Sequence, residues 1–457
     1  MVRRGLVLVF AFVVGFGLAR ASFAEDRPWT FLVYGAADNN ADGPILVFLD
    51  KLRVALDDDP GVELLLLLDR HPGYYSDDDD FLGEDFDGTR LYRLRKDSVE
   101  RLSGEGELPT ITLDSDVELD TSDPDTLAQV IAWAKMHHPA QHYGLMIYSH
   151  ADGRAMCPDE TSRAEMGIAE MTARVDESVD FVGLELCNMA GIEIAYEWRP
   201  RSTRGFSTDV LVAIPNAGPP LDWDRAFARL RSPGHAAIDE RPTFDPATLT
   251  PTQLCTLVVE EGRLGRIVAS RREPDYAVRE CAAGFDMTQI DAVKREFDAL
   301  AVELARADAR DALFALRDVA AGGGVMNYTG DGPYVDAFDL CARIDASDAF
   351  PAEVRKQAGV VMRALDAFVL ESFGGSAYAS FVRGRCGAFV VLPAGDRAGW
   401  KDFAWYSPNA FERRDVPLGG FAFLADGMTF GDGKVEGWFE LLDQWLDGDA
   451  DVNGVRP

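Results

Sequence analysis

Two residues that could form a nucleophilic pair each end a short apolar segment. His150 follows the segment 143–149 (YGLMIYS), and Cys187 ends the segment 180–187 (DFVGLELC). A thiol attacks as its thiolate, so at neutral pH it needs a nearby base, which an imidazole can supply. The turn at 151–153 could direct backbone N–H groups toward a developing oxyanion. A buried free cysteine and a surface histidine also explain the pattern, which is not specific by itself.

The surrounding chain alternates between strand and helix patterns. Continuous apolar runs predict buried strands at 30–38, 62–70, 143–148, 180–187 and 208–215, with a further strand at 88–95. Helical spacing of apolar residues predicts helices at 43–56, 121–138 and 189–198. Such alternation predicts a mostly parallel sheet with helices on both faces, where active sites lie at the carboxyl ends of the strands. His150 and Cys187 would then lie at one edge, provided that their strands run parallel.

The pattern changes beyond residue 235. Residues 241–251 are typical of a loop or linker, and long helical patterns follow at 286–320 and 351–373. A late strand is predicted at 387–393 and an amphipathic helix at 435–446. We therefore expect a sheet domain at 25–235 and a mainly helical region at 236–457 that packs on it and completes it.

Composition excludes some classes of partner. The 457 residues include 77 acidic and 45 basic ones, for a formal net charge of −32. A nucleic-acid-binding protein needs a basic face against phosphate, so nucleic acid is not expected as a partner. The charge could attract cationic substrates, although a well-solvated surface is the simpler explanation.

The N-terminus has the features of a secretory signal peptide at residues 1–24. Arg3 and Arg4 precede an apolar stretch, and small residues fit a cleavage site at 22–24 or at 19–21. We expect an exported protein that begins near Glu25 and, without a later run of eighteen apolar residues, does not span a membrane. Its six cysteines are sparse and include no CxxC pair, unlike a disulfide framework or a zinc site.

These segments resemble the clostripain family of cysteine endopeptidases, which is grouped with caspases, gingipains and legumains. The resemblance is carried by the opening strand at 29–34 with Asp38 and Asn39 after it, by HHPAQHYGLMIYSH at 137–150, and by ELCNM at 185–189. It covers most of the mature chain and is strongest at the last two segments. It implies a caspase-like three-layer α/β/α sandwich.

The resemblance also assigns roles to residues. Cys187 matches the family's nucleophile and His150 its general acid and base. The family has glycine after the histidine, where it helps form the oxyanion hole; this chain has Ala151, and Gly153 could take over the tight turn. Glu185 matches an aspartate of the pocket that selects Arg or Lys, and alternate strand residues share a face, so it should point with Cys187. Because Glu is longer than Asp, the pocket should be shallower and favour Lys or be less strict.

The implied function is a secreted, monomeric thiol endopeptidase that cleaves peptides and proteins after Lys or Arg and requires no cofactor. Relatives are often cut between the histidine and the cysteine, so the loop at 151–179, with Arg154, Arg163 and Arg174, could be cut by the enzyme itself. Two alternatives stay open: a catalytically impaired relative that acts as a binding or scaffold protein, and another hydrolase that uses different residues of the same sheet.

Calcium is a further open question, since some relatives need it. The acidic loop at 76–88 offers the hard oxygen ligands that Ca²⁺ prefers, but solvated charge is the simpler interpretation. The segment DADVNG at 449–454 matches only the start of an EF-hand loop, because the chain ends before the twelfth position.

Overall fold

The computed structural model describes residues 27–74, 81–200, 205–269, 278–317, 324–330, 332–393, 421–427, 429 and 433–447. The strands are β1 (Arg27–Ala37), β2 (Val62–Arg70), β3 (Gly88–Arg95), β4 (Ser98–Leu102), β5 (Ala140–Tyr148), β6 (Ala155–Asp159), β7 (Ala164–Gly167), β8 (Ser178–Glu185), β9 (Ser207–Ala213), β10 (Cys281–Asp286), β11 (Tyr334–Asp336), β12 (Val369–Gly374) and β13 (Phe389–Val391). The helices are α1 (Asp42–Leu56), α2 (Pro124–His137), α3 (Ile168–Arg174), α4 (Ile192–Glu197), α5 (Trp223–Phe227), α6 (Pro251–Ala269), α7 (Ile290–Arg306), α8 (Arg310–Ala315), α9 (Ala337–Ala346), α10 (Ala352–Phe368), α11 (Ala422–Ala425) and α12 (Trp438–Asp447).

Nine strands form the main sheet, in the order β12-β10-β9-β8-β5-β1-β2-β3-β4. The five central strands, from β9 to β2, run parallel, and two antiparallel strands extend the sheet at each side. The crossovers between the parallel strands carry helices such as α1 and α2. The carboxyl ends of the central strands therefore meet at one edge of the sheet.

Alternate residues of the central strands enter two separate cores. In β2, Leu64 and Leu66 pack with α1, α5 and α6, whereas Leu65 and Leu67 pack on the opposite face, where α2 is among the helices. All nine residues of β2 are buried, as expected for a parallel strand covered on both faces. The predicted three-layer α/β/α arrangement is confirmed.

Two strands of the main sheet differ from the sequence predictions. The helical pattern at 351–373 predicts a helix up to residue 373, but the helix ends at Phe368 and β12 pairs with β10 at the edge of the sheet. The segment of β10 had not been assigned, and the late strand β13 pairs with β11 in a separate two-stranded sheet. The division of the chain at residue 235 stays a prediction.

None of the helices in the described ranges combines the length and apolar character needed to cross a bilayer. The predicted signal peptide at 1–24 and the segment at 449–454 lie outside those ranges, as do residues 76–80 of the acidic loop at 76–88.

Candidate active site

The strands that carry the two candidate catalytic residues are adjacent and parallel. β5 pairs with β8 over five residues, and the last pair joins Tyr148 to Glu185. His150 and Cys187 each follow their strand by the same two residues. The chain therefore delivers an imidazole and a thiol to the same edge of the sheet, at neighbouring positions.

Cys187 differs from the other cysteines in its exposure. The structure describes all six, and all six are free, but five are buried while Cys187 is half-buried. Burial raises the thiol pKa of Cys157, Cys255, Cys341 and Cys386, as well as that of Cys281. A buried thiol with a raised pKa is inert near neutral pH, so Cys187 is the sulfur best suited to attack a substrate.

The side chain of His150 is exposed and has one direct polar partner among the residues that the structure describes. Its Nε2 lies 2.6 Å from Oδ1 of Asn40, which follows β1, the strand next to β5. With the amide oxygen facing the ring, Nε2 carries a proton and Nδ1 is the acceptor. Asn40 was not among the candidates from the sequence, although the Asn-Asn pair after a strand end was a usable signal.

The loop after the histidine packs against the turn after the cysteine. Gly153 has φ +90°, and a Cβ there would lie 2.6 Å from Tyr334 Oη and 3.0 Å from the carbonyl oxygen of Asn188. Tyr334 Oη donates a hydrogen bond of 2.8 Å to the carbonyl of Asp152. Both the backbone angle and the close approach require glycine at position 153. Ala151 is half-buried and forms an isolated bridge with Met156.

The turn after Cys187 is held by the end of β9. Asn188 has φ +58°, and its N–H donates to the carbonyl of Asn216 at 3.0 Å. The N–H of Met189 donates to the carbonyl of Ile214 at 2.9 Å. Asparagine tolerates the left-handed conformation better than most residues, which suits it to this position directly after the thiol.

Glu185 is buried beside this turn, and its carboxylate has partners within the chain. One oxygen accepts a hydrogen bond of 2.7 Å from the N–H of Leu221, and the other accepts one of 2.5 Å from the indole of Trp223. Burial raises the pKa of Glu185 to about 7, although both hydrogen bonds oppose this shift. Only 5% of Glu185 is exposed, and both of its carboxylate oxygens are engaged by groups of the chain.

A group of four carboxylates lies at the same edge, on the side of β1 and β2. Its members, whose oxygens approach within 4.8 Å of one another, are Asp38, Asp69, Glu118 and Asp159. Loss of solvent and the neighbouring negative charges raise the pKa of Asp69, and they raise that of Glu118 to about 7. Oδ1 of Asp38 is fully buried and receives no hydrogen bond within the described residues. This buried oxygen, which accepts no hydrogen bond from those residues and lies 4.0 Å from Nε2 of His71, is among hard ligands that fit a bound Ca²⁺.

The loop between the two candidate catalytic residues is ordered as a hairpin and a helix. Arg154 pairs with Asp152 and Glu165, and Arg174 lies among acidic side chains of α2 and α3. Arg163 is exposed at the tip of the β6–β7 hairpin, with φ +55°. Unlike Arg154 and Arg174, it takes part in no ion pair within the described residues, so it is the one we consider for self-cleavage.

A model of the clostripain family matches residues 33–414. This chain belongs to the clostripain family. Clostripain from Hathewaya histolytica is 31% identical over 477 aligned residues, which cover 94% of this chain and 89% of that protein. The family membership makes this chain a cysteine-type endopeptidase, and it agrees with a thiol and an imidazole at one edge of the sheet.

The fold of the clostripain-family chain also matches that of solved structures. A secreted C11 cysteine protease from Bacteroides thetaiotaomicron, solved in complex with an irreversible peptide inhibitor, has a TM-score of 0.52 and 15% sequence identity. The match covers 82% of this chain and 97% of that one. At this level of identity the similarity supports the α/β fold, whereas the catalytic assignments depend on the residues of this chain.

Proposed function

We propose that this clostripain-family endopeptidase is exported and cleaves peptide bonds after Arg or Lys, with Cys187 as nucleophile and His150 as general acid and base. The parallel pairing of β5 and β8 carries the proposal, because it brings the two strand ends to one edge in register. The exposure of Cys187 among otherwise buried thiols supports it.

The chemistry proceeds in two halves. Nδ1 of His150 accepts the thiol proton, and the sulfur of Cys187 attacks the carbonyl carbon of the scissile bond. The oxyanion is stabilised by the N–H groups of Cys187 and Ala151. His150 then gives its proton to the leaving amine, which departs and leaves a thioester. A water molecule, deprotonated by His150, hydrolyses the thioester and regenerates the thiol.

Asn40 is a positioning residue in this scheme. Its Oδ1 accepts a hydrogen bond from the Nε2–H of His150 and so holds the ring in the tautomer whose Nδ1 is free to take a proton. The φ of Ala151 is not positive. Its Cβ therefore adds no backbone strain at the position where relatives have glycine.

The decisive test compares Cys187→Ala and His150→Ala with the wild type on a reporter peptide with Arg or Lys before the scissile bond, in reducing buffer. We expect each substitution to lower kcat/KM by at least about 10³-fold. His137→Ala, at an exposed helix end, serves as the matched control and should retain activity. Turnover that survives Cys187→Ala would indicate another hydrolytic chemistry, and an inactive wild type would favour a binding or scaffold role.

Self-cleavage at Arg163 is part of the proposal. Purified wild type should yield fragments cut after Arg163, whereas Cys187→Ala should stay intact by mass spectrometry. Arg163→Gln should remove that cut. If the wild type and Cys187→Ala both stay intact, self-cleavage is excluded.

Calcium would be held by Asp38, Asp69, Glu118 and Asp159. A divalent cation there would neutralise the repulsion among the carboxylates and so fix the end of β6, in the loop that follows His150, against the ends of β1 and β2. Terbium luminescence of the Cys187→Ala protein, with calcium as competitor, reports binding without any activity measurement. The absence of a saturable terbium signal would exclude the site.

Export and a monomeric state complete the proposal. The expected product begins near Glu25, which N-terminal sequencing of protein secreted from its host would determine. Light scattering coupled to size-exclusion chromatography would measure the mass, and a mass of two chains or more would contradict the monomer.

A further inference from the structure

A second group of carboxylates lies near Cys187, on the opposite side from the first. Its members are Glu185, Asp222 and Glu280, and the side chain of Arg266 lies among them. A small cavity next to this group is lined by Arg266, Glu280 and Leu221, together with residues at the end of β9. We call these three acids and Arg266 the arginine pocket.

Arg266 is held in the pocket by direct contacts. Its Nη2 donates a hydrogen bond of 2.6 Å to the carbonyl of Pro220, and its Nε lies 2.7 Å from a carboxylate oxygen of Glu280. Only 13% of the Arg266 side chain and 6% of the Glu280 side chain are exposed. A charge pair with so little solvent is costly to break, so the guanidinium has a defined position.

The helix that carries Arg266 approaches Asp222 closely at a glycine. At Gly265, a Cβ would lie 1.8 Å from Oδ2 of Asp222, so the carboxylate of Asp222 rests directly on the backbone of α6. Burial raises the pKa of Asp222, Glu280 and Glu185, and the positive charge of Arg266 opposes the rise at each. Arg266 thus acts on all three carboxyls at once.

The arginine pocket is connected to the nucleophile by the backbone. Glu185 lies two residues before Cys187, and the turn after Cys187 is hydrogen-bonded to Ile214 and Asn216, which both line the cavity. The side chain of Asn216 also donates to the carbonyl of Arg279, next to Glu280. The acids are therefore linked through short backbone connections to the turn that follows the thiol.

We propose that Arg266 is a built-in guanidinium that occupies part of the cation-binding pocket and limits how strongly the enzyme selects Arg or Lys before the scissile bond. This inference rests on the proposed function and adds the residue that sets its selectivity. A substrate cation that approaches Glu185 meets the positive charge of Arg266 and must displace it or share the carboxylates with it. Both routes weaken binding of a basic side chain relative to a neutral one.

The test measures kcat and KM for two reporter peptides that differ only in Arg or Gln before the scissile bond. We expect Arg266→Met to raise the Arg-to-Gln ratio of kcat/KM about tenfold, mainly through a lower KM for the Arg peptide, because the carboxylates lose their internal cation. Arg266→Lys should keep the wild-type ratio. Arg263→Met, on the same helix and paired with Glu260, is the matched control and should change nothing.

A second variant tests the proposal even if Arg266→Met does not fold. Arg266→Met with Glu280→Gln removes both members of the buried pair and leaves the carboxylates of Glu185 and Asp222, so the selectivity ratio should still rise. An unchanged ratio in folded variants, with the wild type active on the Arg peptide, would overturn the role of Arg266 and leave the proposed function intact. Equal cleavage of both peptides by the wild type and every variant would instead overturn the basic specificity itself.

Discussion

The two groups of carboxylates at the catalytic edge differ in how the repulsion among their negative charges is balanced. On the side of β1 and β2, four acids converge, and Nε2 of His71 lies 4.0 Å from Oδ1 of Asp38. On the side of β9 and β10, three acids surround the guanidinium of Arg266. The first group suits a cation from solution, whereas the second has a cation from the chain. The arginine that α6 contributes to the second group accounts for the difference.

The largest expected effect comes from removing Arg266, because the second group of carboxylates then lacks a cation from the chain, as the first group does within the described residues. Arg266→Met leaves three buried carboxyls without their cation, so we expect the free energy of unfolding at pH 8 to fall by about 3 kcal/mol. The loss should be smaller at pH 5. Losing the cation raises the folded-state pKa of these acids further above the unfolded value, so stability decreases as the pH rises between the two. Urea denaturation at both pH values measures this, and an equal loss at both would contradict it.

The next largest effect concerns Asn40, which contacts His150 and lies beside the first group. Asn40→Ala removes the partner of His150 Nε2, so the ring loses its preferred tautomer and kcat should fall by about tenfold. Asn40→Asp keeps an acceptor in place and should retain more activity than alanine. Thermal unfolding should be nearly unchanged because both side chains are exposed. A large loss of stability would indicate a structural role instead.

A smaller effect of opposite sign is expected in the first group. Asp38→Asn removes one negative charge from four, so in the presence of a chelator at pH 8 it should stabilise the fold by about 1 kcal/mol. The same substitution should abolish any stabilisation by calcium. Asp114→Asn, at an exposed position outside the group, is the control for both measurements. Destabilisation in chelator would show that the carboxylates do not repel one another.

The smallest effect is the pH dependence of the wild type. The pKa of Glu118 is raised to about 7, and those of Asp69 and Asp159 are also raised, so the folded state holds protons that the unfolded state has released. Stability in chelator should therefore decrease as the pH rises from 5 to 8, lowering Tm by about 2 °C. Calcium should reduce this slope, since it binds the ionised carboxylates. Identical slopes with and without calcium would contradict the site.

The sequence predicted the central sheet because its signal is local and strong. The apolar run of β2 and the polar residues after β5 and β8 identify parallel strands and the edge where His150 and Cys187 meet. β12 was missed because its residues continue the helical spacing of α10, and β10 because Ala282, Ala283 and Gly284 have little preference for a strand. Pairing with distant neighbours decides both elements.

The site was predictable in part for the same reason. Cys187 and His150 follow their strands directly, so local pattern and family resemblance identified them together. Arg266 and Glu280 approach Glu185 only through the packing of α6 and β10 on the sheet, and neither residue has a local signature. Charge balance inside a pocket depends on contacts between distant segments, which spacing along the chain does not reveal.

The hairpin at Arg163 has a consequence for assembly. A cut there would place His150 and Cys187 on separate polypeptides, joined chiefly across the β5–β8 pairing at the centre of the sheet. Buried contacts on both faces would hold the nicked enzyme together in native buffer. After denaturation, however, recovery of activity would become a second-order process that depends on protein concentration, whereas the uncut chain would refold at a rate independent of it.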